Sequence, residues 1–207
     1  MTVLIINNYC KPEHADRINY YIEAVRENSE NDAKVVSFRD LSPHFRTSKN
    51  ICSIILSGSS AHLPQDVEMY KNEVELIKRC ELPVLGICFG HQLIGYTFGC
   101  RVRSYDSYII GFQKVKILEV DEIFRGWKKG QDITVKESHM DYIAELTNDF
   151  DWLATSDSCQ IEAIKHKSKP MYGVQFHSER RLDEATGKKY EDGRKVIRNF
   201  FETVVKK

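Results

Sequence analysis

Residues 83–92, Pro-Val-Leu-Gly-Ile-Cys-Phe-Gly-His-Gln, constrain this chain more than any other stretch. Residues 84–87 form an apolar run of strand length, and Leu93, Ile94 and Tyr96 continue the run into a helix. Between them stands Gly86-x-Cys88-x-Gly90, a pattern that turns a strand sharply into a helix and holds the middle residue at the tip. Side chains at 86 or 90 would crowd such a turn, and glycine reaches φ values that other residues avoid. A thiol at a helix N-terminus meets the positive end of the macrodipole and unpaired N–H groups, which favour the reactive thiolate. A buried structural cysteine between small residues has the same local sequence, because free cysteines are commonly buried and inert. The turn alone leaves both readings open.

The flanking segments fix the fold class. Residues 3–6, 34–38, 51–56 and 84–87 read as strands, and the first is a continuous apolar run, as in a strand covered on both faces. Helical stripes separate them. Ile18, Tyr21, Ile22 and Val25 follow Pro12, which suits a first helical turn, and Val67, Tyr70, Val74 and Ile77 form the next stripe. Gly99 is placed to cap the helix after Cys88, and residues 39–50 read as a loop or short helix. Strand–helix alternation predicts an α/β fold with a mostly parallel, doubly wound sheet flanked by helices. The second half is richer in strands, at residues 112–120, 133–137, 152–155, 161–166 and 171–176, and predicts a small added antiparallel portion. An amphipathic helix through Val196, Ile197, Phe200, Phe201 and Val204 closes the chain, after an exposed polar loop over residues 180–193. Residues 1–207 read as one domain, without repeat or linker.

Composition excludes several classes. The formal net charge is zero, so nothing calls for nucleic acid or an anionic membrane surface. No apolar run approaches a membrane-spanning length, and the start of the chain reads as a first strand, not a secretory signal. The six cysteines, Cys10, Cys52, Cys80, Cys88, Cys100 and Cys159, include no Cys-x-x-Cys pair. That spacing predicts neither a metal site nor a disulfide framework, and it points to a reducing, cytoplasmic compartment. No cofactor is called for.

A second motif bears on Cys88. The strand expected over residues 171–176 runs into His177-Ser178-Glu179, and in an extended chain residues i and i+2 point the same way. A cysteine nucleophile needs a base, and the base needs an orienting group on its other nitrogen. Cys88, His177 and Glu179 supply these types, each at or just past the C-terminal end of an expected strand, where ligands bind in parallel sheets. A His-x-Glu in a surface loop is the plain alternative. His14, His44, His62 and His166 have no motif around them and read as surface or loop residues, and His91 reads as a packing or capping residue.

Leu85-Gly86-Ile87-Cys88-Phe89-Gly90-His91-Gln92, followed about ninety residues later by Val174-Gln175-Phe176-His177-Ser178-Glu179, resembles the class I (triad) glutamine amidotransferases. The likeness covers nearly the whole chain. Ile55-Leu56-Ser57-Gly58, Ser138-His139 and Ile161-Glu162-Ala163-Ile164 bring it nearest to the glutaminase part of GMP synthases.

The resemblance implies a flavodoxin-like class I amidotransferase fold and a Cys88–His177–Glu179 triad acting on the side-chain amide of glutamine. It implies an oxyanion hole built from the backbone of Phe89 and of the Gly58–Ser59 loop, with Gln92, Ser138 and His139 at glutamine-holding positions. This sequence departs from the family at Ser59-Ser60, where Gly-Pro is usual, at Met140 in Ser-His-Met-Asp, and at Arg180-Arg181 after the triad. No Gly-x-x-x-x-Gly-Lys-[Ser/Thr] loop is present, so the expected partner is a synthetase on a separate chain. The alternatives are a stand-alone hydrolase of γ-glutamyl amides and a catalytically silent regulatory subunit.

Overall fold

The computed structural model describes residues 1–206. The first half alternates as expected. Strand β1 (Thr2–Asn7) leads through a tight turn at Pro12–Arg17 into helix α1 (Ile18–Asn28), then β2 (Asp32–Ser37) and β3 (Ile51–Leu56). Helices α2 (Leu63–Asp66) and α3 (Lys71–Arg79) precede β4 (Val84–Ile87) and α4 (Phe89–Thr97). Pro12 lies in the first turn of its segment, and Gly99, with φ of 84°, follows the C-terminus of α4.

The second half contributes β5 (Arg101–Ile117), β6 (Asp132–Glu145), β7 (Phe150–Thr155), β8 (Ala163–His166) and β9 (Met171–Val174). It closes with α5 (Asp192–Asn199), which continues as a wider helical turn over Phe200–Val205. All nine strands join one sheet in the order β2-β1-β3-β4-β9-β8-β7-β5-β6. The run from β2 to β9 is parallel, and every pair from β9 to β6 is antiparallel. The sheet is therefore mixed, with an antiparallel portion larger than the short strands of the sequence suggest. β5 and β6 account for the difference. They extend well beyond the apolar stretches at 112–120 and 133–137, because the pairing from Lys116↔Asp132 to Arg101↔Glu145 carries polar, exposed residues into the ladder. Such residues obey cross-strand pairing and leave no hydrophobic signature.

The continuous apolar runs have their expected cause. In β1, Val3 and Ile5 pack with Tyr21 and Val25 of α1 and Ile197 and Phe200 of the C-terminal helix. Leu4 and Ile6 point the other way, among Val74 and Ile77 of α3 and Leu93 and Ile94 of α4. Period-two alternation thus feeds two apolar layers, one on each face of the sheet. β4 and β9 are parallel neighbours at the centre, in register from Val84↔Met171 to Ile87↔Val174. The two sequence motifs follow directly from the C-terminal ends of these strands.

Candidate active site

Cys88 has φ 54° and ψ −105°, and it is the one non-glycine with positive φ among the described residues. Such backbone costs about 1–3 kcal/mol and persists only where surrounding structure imposes it. The imposition is steric. A Cβ on Gly90 would lie 2.4 Å from the Leu56 carbonyl oxygen, and one on Gly86 would lie 2.5 Å from the Gly90 carbonyl. β3, the end of β4 and the first turn of α4 therefore meet backbone to backbone. The Cys88 N–H donates to the Val174 carbonyl of β9 at 2.8 Å, which anchors the turn.

His177 Nδ1 lies 2.7 Å from Glu179 Oε1, with both side chains buried. Burial alone would strip the proton from His177. The charges of Glu179 and Cys88, with hydrogen bonds to both, outweigh it and hold His177 well above its usual value. Glu179 is pulled the opposite way: burial favours its neutral form, but the adjacent His177 brings it below the ordinary carboxylate range. The pair is an imidazolium–carboxylate, and Nδ1–H donates to Oε1. The His177 N–H also donates to the Lys136 carbonyl at 2.7 Å, fixing the segment to β6. Gln175 Nε2 approaches Cys88 Sγ at 3.7 Å, and Cys88 Sγ lies 4.0 Å from the Ser138 carbonyl.

Cys88, Phe89, Gln92, Ser59, Ser138 and His139 line one cleft, together with Ser60, His62, Tyr108, Met140 and Asp141. Its free volume is about 30 Å³. By the measure of roughly 10–15 Å³ per water, that holds only two or three waters. Tyr108 belongs to a bulge: Ser104 pairs with Asp141 and Ile109 with His139, so residues 105–108 face Met140 alone.

The expected glutamine-holding and oxyanion positions divide. Ser138 lies at the cleft beside Cys88. Gln92 and His139 line it, each with one nitrogen engaged: Gln92 Nε2 donates to the Asp141 carbonyl at 2.6 Å and to Gln175 Oε1 at 3.2 Å. His139 Nδ1 donates to the same carbonyl at 3.1 Å. Phe89 heads α4, where the first N–H groups have no intrahelical acceptor. Ser59 needs no glycine-like φ, and its hydroxyl, donating to the Asn8 carbonyl at 2.7 Å, braces the loop. Gly58 departs from expectation. Its N–H donates to the buried Tyr21 hydroxyl at 2.8 Å and is not offered to the cleft.

Other residues were not legible as site residues. His62, read as surface, lines the cleft with Nδ1 3.2 Å from Asp141 Oδ1. His166, also read as surface, is buried in β8, edge-on to Phe98 and Phe150. His91 packs as expected: it is wholly buried, and burial lowers its pKa to about 3, so it is neutral. Beneath the cleft, Glu137 Oε2 lies 3.2 Å from His139 Nε2, and Glu162 is close enough for the two carboxyls to influence each other's charge. Burial raises Glu137 to about 8 and Glu162 well above its ordinary value, so both hold protons near neutrality. Glu137 shares the inward face of β6 with Ile133 and Val135, a period-two signal that marks its burial but not its chemistry. No group of side chains suited to a metal ion occurs among the described residues.

The chain belongs to the class-I glutamine amidotransferase family, whose model matches residues 14–201. Among its relatives are proteins named as a subunit of glutamine-hydrolyzing GMP synthase. That of Methanothermobacter thermautotrophicus is 34% identical over 201 residues, covering 97% of this chain and 96% of the relative. That of Methanosphaera stadtmanae is 32% identical, covering 97% and 100%. A solved structure described as a putative GMP synthase subunit from Thermoplasma acidophilum superposes with a TM-score of 0.80 at 28% identity, covering 98% of this chain and 92% of that one. A glutamine amidotransferase from Thermotoga maritima also reaches 0.80, at 19% identity over 100% and 99% of the two chains, and shares the fold.

Proposed function

We propose that this chain is the glutaminase subunit of a two-chain, GMP-forming synthetase, and that Cys88, His177 and Glu179 carry the reaction. The observation behind this reading is the strained Cys88 elbow tied to the strand that delivers the His177–Glu179 ion pair. The Cys88 sulfur attacks the side-chain carbonyl carbon of glutamine. The N–H groups of Phe89 and Ser59 receive the oxyanion. His177 gives its proton to the leaving nitrogen, and ammonia departs from a glutamyl thioester. The neutral His177 then takes a proton from water, hydroxide displaces the sulfur, and glutamate leaves with Cys88 regenerated. Glu179 orients the imidazole and stabilises its charged form, as the carboxylate does in serine triads.

The freed ammonia passes to an acceptor on a separate synthetase chain. The names of the relatives support a GMP-forming partner. We place the protein in the cytosol, where its six free thiols stay reduced. No helix among the described residues is long and apolar enough to cross a membrane.

An electrophilic glutamine analogue tests the site. Adduct mapping by mass spectrometry should find Cys88 modified and the other five cysteines untouched. A label on Cys10 or Cys159 with Cys88 free would reject the assignment.

A further inference from the structure

Tyr21 belongs by sequence to the apolar stripe of α1, and it is buried there. Its hydroxyl nevertheless reaches the site from behind. The oxygen accepts the Gly58 N–H at 2.8 Å. A Cβ on Gly58 would stand 3.1 Å from His177 Cε1, 3.2 Å from the Tyr21 hydroxyl and 3.3 Å from the Tyr9 hydroxyl. The loop before Ser59, two phenols and the imidazole therefore converge on one point.

Glu179 completes the arrangement. Its Oε1 is taken by His177, while Oε2 is buried without a close hydrogen-bond partner. A buried carboxylate oxygen left unsatisfied is costly. A hydroxyl that accepts an N–H still has its own proton to give. Burial opposes charge on Glu179 and His177 favours it, and the nearby Tyr21 hydroxyl adds a smaller effect in the same direction as His177.

We propose that Tyr21 is a positioning residue for glutamine hydrolysis: its oxygen holds the Gly58 peptide and its proton goes to Glu179, so one hydroxyl aligns the Ser59 loop with the carboxylate that orients His177. The proposal rests on the triad reading given above. It assigns a task to a residue that packing alone would explain as core. A phenylalanine fills the same apolar space, so only the polar task requires the oxygen.

The test is Tyr21→Phe, measured beside Cys88→Ala. Loss of turnover in Cys88→Ala upholds the triad reading independently. In Tyr21→Phe, kcat is expected to fall by about tenfold or more while KM stays within about twofold, because alignment is lost and the glutamine subsite is not. In a Glu179→Gln background the same substitution should cost clearly less, because the recipient of the Tyr21 proton is already altered. Wild-type kcat in Tyr21→Phe, or an equal loss in both backgrounds, would overturn the proposal. If the hydroxyl proves necessary for folding, 3-fluorotyrosine at position 21 keeps ring and hydroxyl and changes only the phenol's proton affinity. It should change kcat and spare KM, and an unchanged kcat would be equally fatal.

Discussion

The backbone N–H of Cys88 donates to the carbonyl of Val174 at 2.8 Å, joining two motifs that lie far apart in the chain. β4 and β9 are parallel neighbours, so the elbow and the His177–Glu179 segment leave the sheet side by side and at the same end. This proximity comes from the sheet order. Neither motif encodes it alone.

On the proposed mechanism the two segments act together, so their losses should not multiply. Cys88→Ala and His177→Ala are each expected to reduce glutamine hydrolysis by on the order of 10⁴-fold or more, and the double variant should be little worse than either. Steady-state rates across the cycle decide this. Independent, multiplying losses would mean that the two residues do not form a unit.

Glu179→Gln should be milder than Cys88→Ala. It keeps a hydrogen-bond acceptor but removes the charge that holds His177 protonated. The imidazolium should therefore lose its proton at lower pH in the variant, and an NMR titration of His177 reads this directly. An unmoved His177 titration would count against the ion pair.

Gly90→Ala should destabilise the fold before it affects chemistry. The added methyl meets the Leu56 carbonyl oxygen at 2.4 Å, backbone that cannot give way without parting β3 from α4. Overpacking of this kind costs about 1–3 kcal/mol or more. A urea midpoint equal to wild type would show that the elbow is looser than described.

Much of this was legible in the sequence, and the failures have physical causes. β3 and β4 were readable to the residue because both faces are covered, so nearly every position is apolar. β5 and β6 were cut short because their outer lengths are held by pairing between exposed polar residues. Cys88, His177 and Glu179 stood out because a glycine-framed turn and a strand end impose strict local sequences. Tyr21 did not, since a helical apolar stripe looks the same whether or not its last atom is a working hydroxyl. His62 lines the cleft beside Asp141, a contact between residues 79 apart.

Stability should fall as pH rises, and Glu137 should account for part of the slope. In the folded chain burial holds its pKa at about 8, against an ordinary 4.5. Between these values the folded state binds more protons than the unfolded state, so stability declines with pH. A fully titrating group contributes about 1.4 kcal/mol per pH unit. Glu137→Gln should flatten this decline, and its gain over wild type should grow from weakly acidic to weakly alkaline conditions. Parallel slopes in urea unfolding would contradict the buried, protonated state.

The central claim concerns what the site serves, and turnover of the isolated chain tests it most directly. Glutamate and ammonia release should be measured alone, and again with a GMP-forming synthetase chain and its nucleotide substrate. The cleft about Cys88 is narrow, with about 30 Å³ of free space, and a docking partner can act by widening it. A partner that binds the open conformer more tightly populates it. The account predicts slow hydrolysis by the lone chain and a steep rise with the partner and nucleotide present. Full activity of the lone chain on a γ-glutamyl compound other than glutamine, with no response to the synthetase, would contradict it.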